Sequence, residues 1–149
     1  MANEFSTAGI LLKYAAEATP GTRPTAGYTT LPNIKGTPDM NNSPETLEVT
    51  DLSDTVWRRY IAGLKDPGDN LEFTANLTAA LKTAWAAVVT AAASATVWFE
   101  IAIPGGFDSF YFAGIPTELG INAMEVGAVA EISLFIVPNQ VHGWDTAST

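Results

Sequence analysis

Leu71, Phe73, Ala75 and Leu77 alternate with Glu72, Thr74 and Asn76. A period of two places the first set on one face of a strand and the second on the other. The same rule predicts a half-buried strand at 45–50, where Leu47 and Val49 oppose Glu48 and Thr50. It predicts another at 96–103, with Val97, Phe99, Ile101 and Ile103 on one face. At 127–137, Ile132, Leu134 and Ile136 alternate with Glu131, Ser133 and Phe135. A short apolar run at 10–14 reads as a further strand, and 108–113 follows a Pro-Gly-Gly-Phe turn, so that 96–113 reads as a hairpin. The period switches once. Leu81, Trp85, Val88 and Ala92 fall on one helical stripe, alanines supply propensity around it, and Thr78 is placed to cap it, which predicts a helix over 78–94.

Turn chemistry fills the gaps. Pro20, Gly21, Pro24 and Gly27 make 18–28 a loop, and 37–44 and 65–70 read the same way. Pro32 demotes 29–36 to an edge strand or a bulge. The stretch 56–63 fits a strand or a short helix, and 138–149 has little periodicity and reads as a tail or arm. One helix among six or seven strands predicts a mainly β fold. The expected form is an antiparallel β-sandwich or barrel with one flanking helix, extended loops and terminal arms. At 149 residues the chain suits a single domain, 1–149.

Composition sharpens this. Apolar residues make up 47% and charged residues 15%, against about 25% charged in an average globular chain. Such a balance points to surface hidden in an oligomer. Sixteen acidic and seven basic residues give a formal net charge of −9, which argues against a surface built to attract phosphate backbones. All seven basic residues lie in 1–82, with Lys35, Arg58, Arg59 and Lys65 near its middle, while 83–149 carries six acidic residues and no basic one. A protomer with a less acidic side and a more acidic side can pair head to tail with its copies. The uncharged run 83–99 reads as a helix followed by a strand rather than a membrane span. Residues 1–9 lack the basic and apolar regions of a secretory signal.

Candidate chemistry is sparse. There is no cysteine, so no thiolate site and no disulfide is available. His142, the one imidazole, lies three residues before Asp145, but no Gly-x-Ser-x-Gly elbow accompanies it. Glu72, Glu100, Asp108 and Glu131 could offer the paired carboxylates of a glycosidase, or line a solvated acidic sheet face. Asp66, Asp69 and Glu72 straddle a Pro-Gly turn that could take a cation or simply be solvated. Gly105 and Gly106 sit between strands, as in a hairpin turn, not before a helix as a phosphate loop requires. Trp57, Trp98 and Trp144 could form a sugar-stacking platform, or pack in a core or interface.

The stretch 44–77 reads PETLEVTDLSDTVWRRYIAGLKDPGDNLEFTANL. It resembles the major tail tube proteins of long-tailed bacteriophages. The pattern is a Glu-x-Thr strand end at Glu48–Thr50, an acidic loop with Asp51 and Asp54, and then Tyr60, Gly63, Leu64 and Asp66. Phe73 and Leu77 follow in a strand. A helix, a strand ending Ile-Pro-Gly-Gly and the segment FYFAGIPTELG continue the order, so the match spans about residues 8–137. The resemblance implies a fold shared with type VI secretion tube proteins and a structural role without enzymatic activity or cofactor. Six copies would form a ring, and rings would stack into the tail tube of a virion after assembly in the host cytoplasm. DNA would cross an acidic lumen, for which Glu72, Glu100, Asp108 and Glu131 are the candidates. Further implied partners are the tape-measure, tail-tip and terminator proteins. Segment 37–70 would contact the next ring through Lys35 beside it and Glu48, Asp51, Asp54, Trp57, Arg58, Arg59, Lys65 and Asp66, and segments 1–9 and 138–149 would be arms between subunits. The alternative is a carbohydrate-binding β-sandwich module.

Overall fold

The computed structural model describes residues 8–41, 43–66 and 70–148. Nine strands and one helix follow in the order β1 (Leu11–Ala16), β2 (Thr29–Thr30), β3 (Ile34–Gly36), β4 (Ser43–Glu48), β5 (Tyr60–Asp66), β6 (Leu71–Asn76), α1 (Ala79–Ala92), β7 (Val97–Ala102), β8 (Ser109–Pro116) and β9 (Glu131–Asp145). Seven strands form one antiparallel sheet in the order β2-β1-β7-β8-β9-β6-β3. The other two, β4 and β5, pair with each other alone.

The sheet must curl. β2 and β3 lie on its two opposite edges, yet only Leu31, Pro32 and Asn33 separate them. The chain from Thr30 to Ile34 can reach at most about 14 Å, whereas a flat sheet of seven strands is about 29 Å wide. The edges are therefore drawn together, and segment 29–36 bridges them. The Leu31 amide donates to the Leu12 carbonyl at 2.8 Å, and the Asn76 amide donates to the Asn33 carbonyl at 3.0 Å. Asn33 adopts φ 62°, a left-handed conformation that asparagine tolerates. The edge reading of 29–36 stands, resolved into two short strands.

The concave side holds the core. Phe73, Phe99 and Phe112 stack, with ring centroids 6.1 and 5.3 Å apart, among Leu12, Leu71, Ile132, Leu134 and Ile136. Helix α1 lays Leu81, Trp85 and Val88 into this cluster, and the Thr78 side chain accepts the Leu81 amide as its N-cap. The helix ends at Ala92 and β7 begins at Val97, so 83–99 is helix then strand. Among the described residues no helix is long and apolar enough to cross a membrane.

The convex face of β7 and β8 is covered as well. Trp98, Tyr111 and Ala113 are buried there beneath Tyr28 of the 17–28 loop. Two expectations are corrected. Residues 138–145, read as an aperiodic tail, continue β9 along β8 to Asp145. Register shifts beside Tyr111/Phe112 and Ala113/Gly114 break the alternation there, and Gly143 supports one of them with φ 90°. Pro138 is tolerated because β6 pairs with β9 only as far as Ile136. Secondly, β4 is a strand but not a half-buried one. Leu47 and Val49 remain 42% and 38% exposed.

Candidate interaction surface

The β4–β5 hairpin buries nothing in the core, yet its surface is apolar. Leu52, Val56, Trp57 and Leu64 are 102%, 78%, 81% and 85% exposed. An isolated two-stranded hairpin is marginal in water, and several large exposed apolar side chains on one element make it a candidate interaction surface.

The tip between its strands is nevertheless ordered. The Asp51 amide donates to Asp54 Oδ2 at 2.9 Å, and the Ser53 amide donates to Asp51 Oδ1 at 2.8 Å. Arg59 donates from Nε to Asp54 at 2.8 Å and from a terminal nitrogen to Asp51 at 3.1 Å. Hydrogen bonds from the Ser53 hydroxyl and amide hold the Asp51 carboxyl below its ordinary range. The Asp51 amide, followed by Arg59, does the same for Asp54. Exposed ion pairs add little stability. Their effect is to hold the tip in one shape, and a preformed surface carries less ordering cost in any association. Asp51, Asp54 and Arg59 are thus spent on each other. Trp57 and Arg58 point to solvent, as do Glu48 and Lys65 on the strands. Lys35 lies on β3 and pairs with Glu131. The side chain of Asp66 lies outside the described residues, as does Asp69, so the cation reading of Asp66, Asp69 and Glu72 falls there.

The four acidic residues expected on one face are not together. Glu72 and Glu131 share the uncovered convex side of β6 and β9, where Ser133 donates to Glu72 at 2.7 Å. Asp108 is exposed in the turn between β7 and β8. Glu100 is fully buried, which corrects its placement on a lumen. It faces Tyr111 and the chain end instead. Its Oε2 accepts from the Tyr111 hydroxyl at 2.9 Å and the Ser148 amide at 3.0 Å, and its Oε1 accepts from the Ser148 hydroxyl at 2.6 Å. Burial pushes this carboxyl up, but hydrogen bonds, those from Ser148 first, outweigh it and hold it below its ordinary value. Burial, and then Glu100, raise the Tyr111 hydroxyl. Arg23 lies 4.2 Å over the Tyr111 ring and donates to Asp145 at 2.8 Å. The sequence does not reveal this network, because Glu100 occupies the polar phase of β7 and Ser148, which joins it with Tyr111 of the neighbouring β8, lies far away in the chain.

His142 and Asp145 do meet, at 2.9 Å. The imidazole packs edge-on against Trp98 and Tyr111, and no serine hydroxyl is bonded to it among the described residues. The pair braces the end of β9. Of the three tryptophans considered for sugar stacking, Trp98 is buried, which removes it. Trp57 lies on the hairpin, while Trp144 packs against Phe107 and Phe110.

A second apolar surface went unread. Ile121, Met124, Val126 and Val129 in the 117–130 loop are 80%, 51%, 107% and 73% exposed. The available signal was apolar residues recurring without any strand or helix period.

No protein-family model matches the chain, and no curated protein matches its sequence. Solved structures match its fold. A chain of the six-fold symmetrised baseplate of the anti-feeding prophage aligns with TM-score 0.62 and 12% identity, over 96% of this chain and 97% of that one. A chain from the sheath/tube terminator of an extracellular contractile injection system, in its extended state, gives TM-score 0.62 at 10% identity, covering 94% and 96%. One from the tail of an empty gene transfer agent particle, refined with C6 symmetry, gives 0.61 at 15%, covering 97% and 100%. The chain therefore shares the fold of proteins found in phage-tail-like particles.

Proposed function

We propose that this chain is a structural subunit of a phage-type tail. Copies close into hexameric rings, and the rings stack into a hollow tube through which DNA passes. The observation that carries this reading is the β4–β5 hairpin, a preordered apolar element that, among the described residues, forms a sheet of its own and adds no side chain to the core. The shared fold with chains from six-fold symmetric tail and baseplate particles supports it, as does the low charged fraction. Heterologous contacts close into rings when the rotation closes and run on as filaments when it does not.

In this reading Glu72, Asp108 and Glu131 contribute to an acidic lumen. Phosphates repelled by the wall release no counterions, so DNA slides without sticking. The subunit is a major tail tube protein rather than an enzyme, acts in the virion after assembly in the host cytoplasm, and meets tape-measure, tail-tip and terminator proteins. Residues 1–9 add contacts between subunits. The purified protein, concentrated and examined by negative-stain electron microscopy, gives hollow six-fold rings or tubes with a regular axial repeat. Featureless particles at every concentration, with tail-tip components present, would contradict the reading.

A further inference from the structure

We propose that the 117–130 loop is the receiving surface for the β4–β5 tip of a second copy. This inference rests on the stacked-ring reading and names the partner of its hairpin.

Strand polarity places the two surfaces at opposite ends of the protomer. β6 runs from Leu71 to Asn76, and antiparallel β3 runs from Ile34 to Gly36. The hairpin joins Gly36 to Leu71, so it leaves the sheet at the end where β3 finishes and β6 begins. Residues 37–41 continue toward that end and line a groove with Ile101, Phe110 and Trp144. The 117–130 loop leaves β8 at Pro116, which is level with Ile136 and so with Leu71, runs on in the direction of β6 and finishes where β9 starts opposite Asn76. Its far part, toward Ala130, therefore lies at the other end of the sheet. A hairpin leaving one end is directed away from its own loop and toward that of a copy stacked in the same orientation. Such a contact uses two different patches, so it repeats indefinitely along an axis.

The loop is anchored, so its exposed apolar residues are not the product of a loose end. The Thr117 amide donates to the Phe135 carbonyl at 2.9 Å, the Leu77 amide donates to the Ala130 carbonyl at 3.0 Å, and Leu119 packs on the core. Charge matches as well as apolarity. With Arg59 paired to Asp51 and Asp54, Arg58 is the cation that the tip can offer beside Trp57. The loop carries Glu118 and Glu125 and no basic residue, and Glu125 stands between the exposed Met124 and Val126. An apolar cluster with one cation thus faces an apolar cluster with two carboxylates, the pattern that fixes register and orientation across an interface.

Two surface variants test this, each checked for native circular dichroism. Arg58→Glu disables the tip, and Val126→Asp disables the loop. Under conditions where the wild type stacks, each variant alone yields unstacked rings or protomers. An equimolar mixture restores a single contact, because one variant keeps its loop and the other its tip, and the products are paired rings that do not grow. The absence of cysteine allows a second measurement. Trp57→Cys and Val126→Cys proteins, mixed and oxidised, give a disulfide-linked heterodimer. Stacking by Val126→Asp at the wild-type level would overturn the inference and leave the stacked-ring reading standing, as would a disulfide formed only between two Trp57→Cys hairpins. A wild type that never stacks would overturn both.

Discussion

Trp85 donates its indole N–H to the Thr117 carbonyl at 2.8 Å. This bond joins the buried stripe of the helix to the root of the apolar 117–130 loop, so core packing and a candidate interface share one residue. Trp85→Phe keeps most of the ring volume but leaves that carbonyl unpaired, a loss of about 1–3 kcal/mol. We expect a lower urea midpoint and faster amide exchange across 117–130. Unchanged exchange there would show that the bond does not anchor the loop.

Glu100 gives the chain end a defined pH response. Its carboxyl is held below its ordinary value in the folded protein, because hydrogen bonds, those from Ser148 first, outweigh burial. A depressed folded value contributes stability above the ordinary carboxylate range, and that stability is lost as pH falls through the depressed value. The Ser148 amide is therefore protected from exchange at neutral pH and released in acid. Arg23 and Asp145, which pair beside Tyr111, add to the same trend, because His142 and the Thr146 amide also hold Asp145 low. Glu100→Gln removes the acid dependence of Ser148 protection and costs about 1–3 kcal/mol at neutral pH. Protection of Ser148 that is independent of pH in the wild type would contradict this account.

Gly114 is confined by β9. A Cβ built there would stand 2.5 Å from Ile136 Cγ2 and 2.8 Å from the Val137 carbonyl oxygen. The backbone oxygen cannot swing aside as a flexible side chain would. Gly114→Ala should cost about 1–3 kcal/mol, read as a fall in thermal midpoint. A midpoint within a degree of the wild type would show that β8 and β9 separate more easily than their pairing implies.

Local periodicity made much of this fold legible. The alternation of β6 and the first half of β9, the stripe of α1 with its Thr78 cap, and the turn at 104–106 follow from nearest-neighbour geometry. What failed depends on distant parts of the chain. The second half of β9 hides its alternation because each register shift moves the face of later residues. Glu100 looked solvated because the loop and chain end that cover it lie far away in sequence. Leu47 and Val49 looked half-buried because alternation reports a face, not whether this protomer covers it. That last discrepancy is itself informative, since a bare apolar face is what the proposed assembly would cover. The candidate interface was legible at Trp57 and Arg58, which the hairpin does expose, and illegible in the 117–130 loop, where no period exists to read.

In the reading we propose, the hairpin serves assembly and not the fold of its own protomer. Replacing 44–65 with a short glycine turn removes none of the core side chains, so the seven-stranded sheet and its core should still fold, read as a native circular dichroism spectrum and a cooperative thermal transition. Sedimentation velocity and electron microscopy of that variant beside the wild type give the direct measurement. The expected product is a folded protein that forms no stacks under conditions where the wild type does. Tubes with an unchanged axial repeat would contradict it.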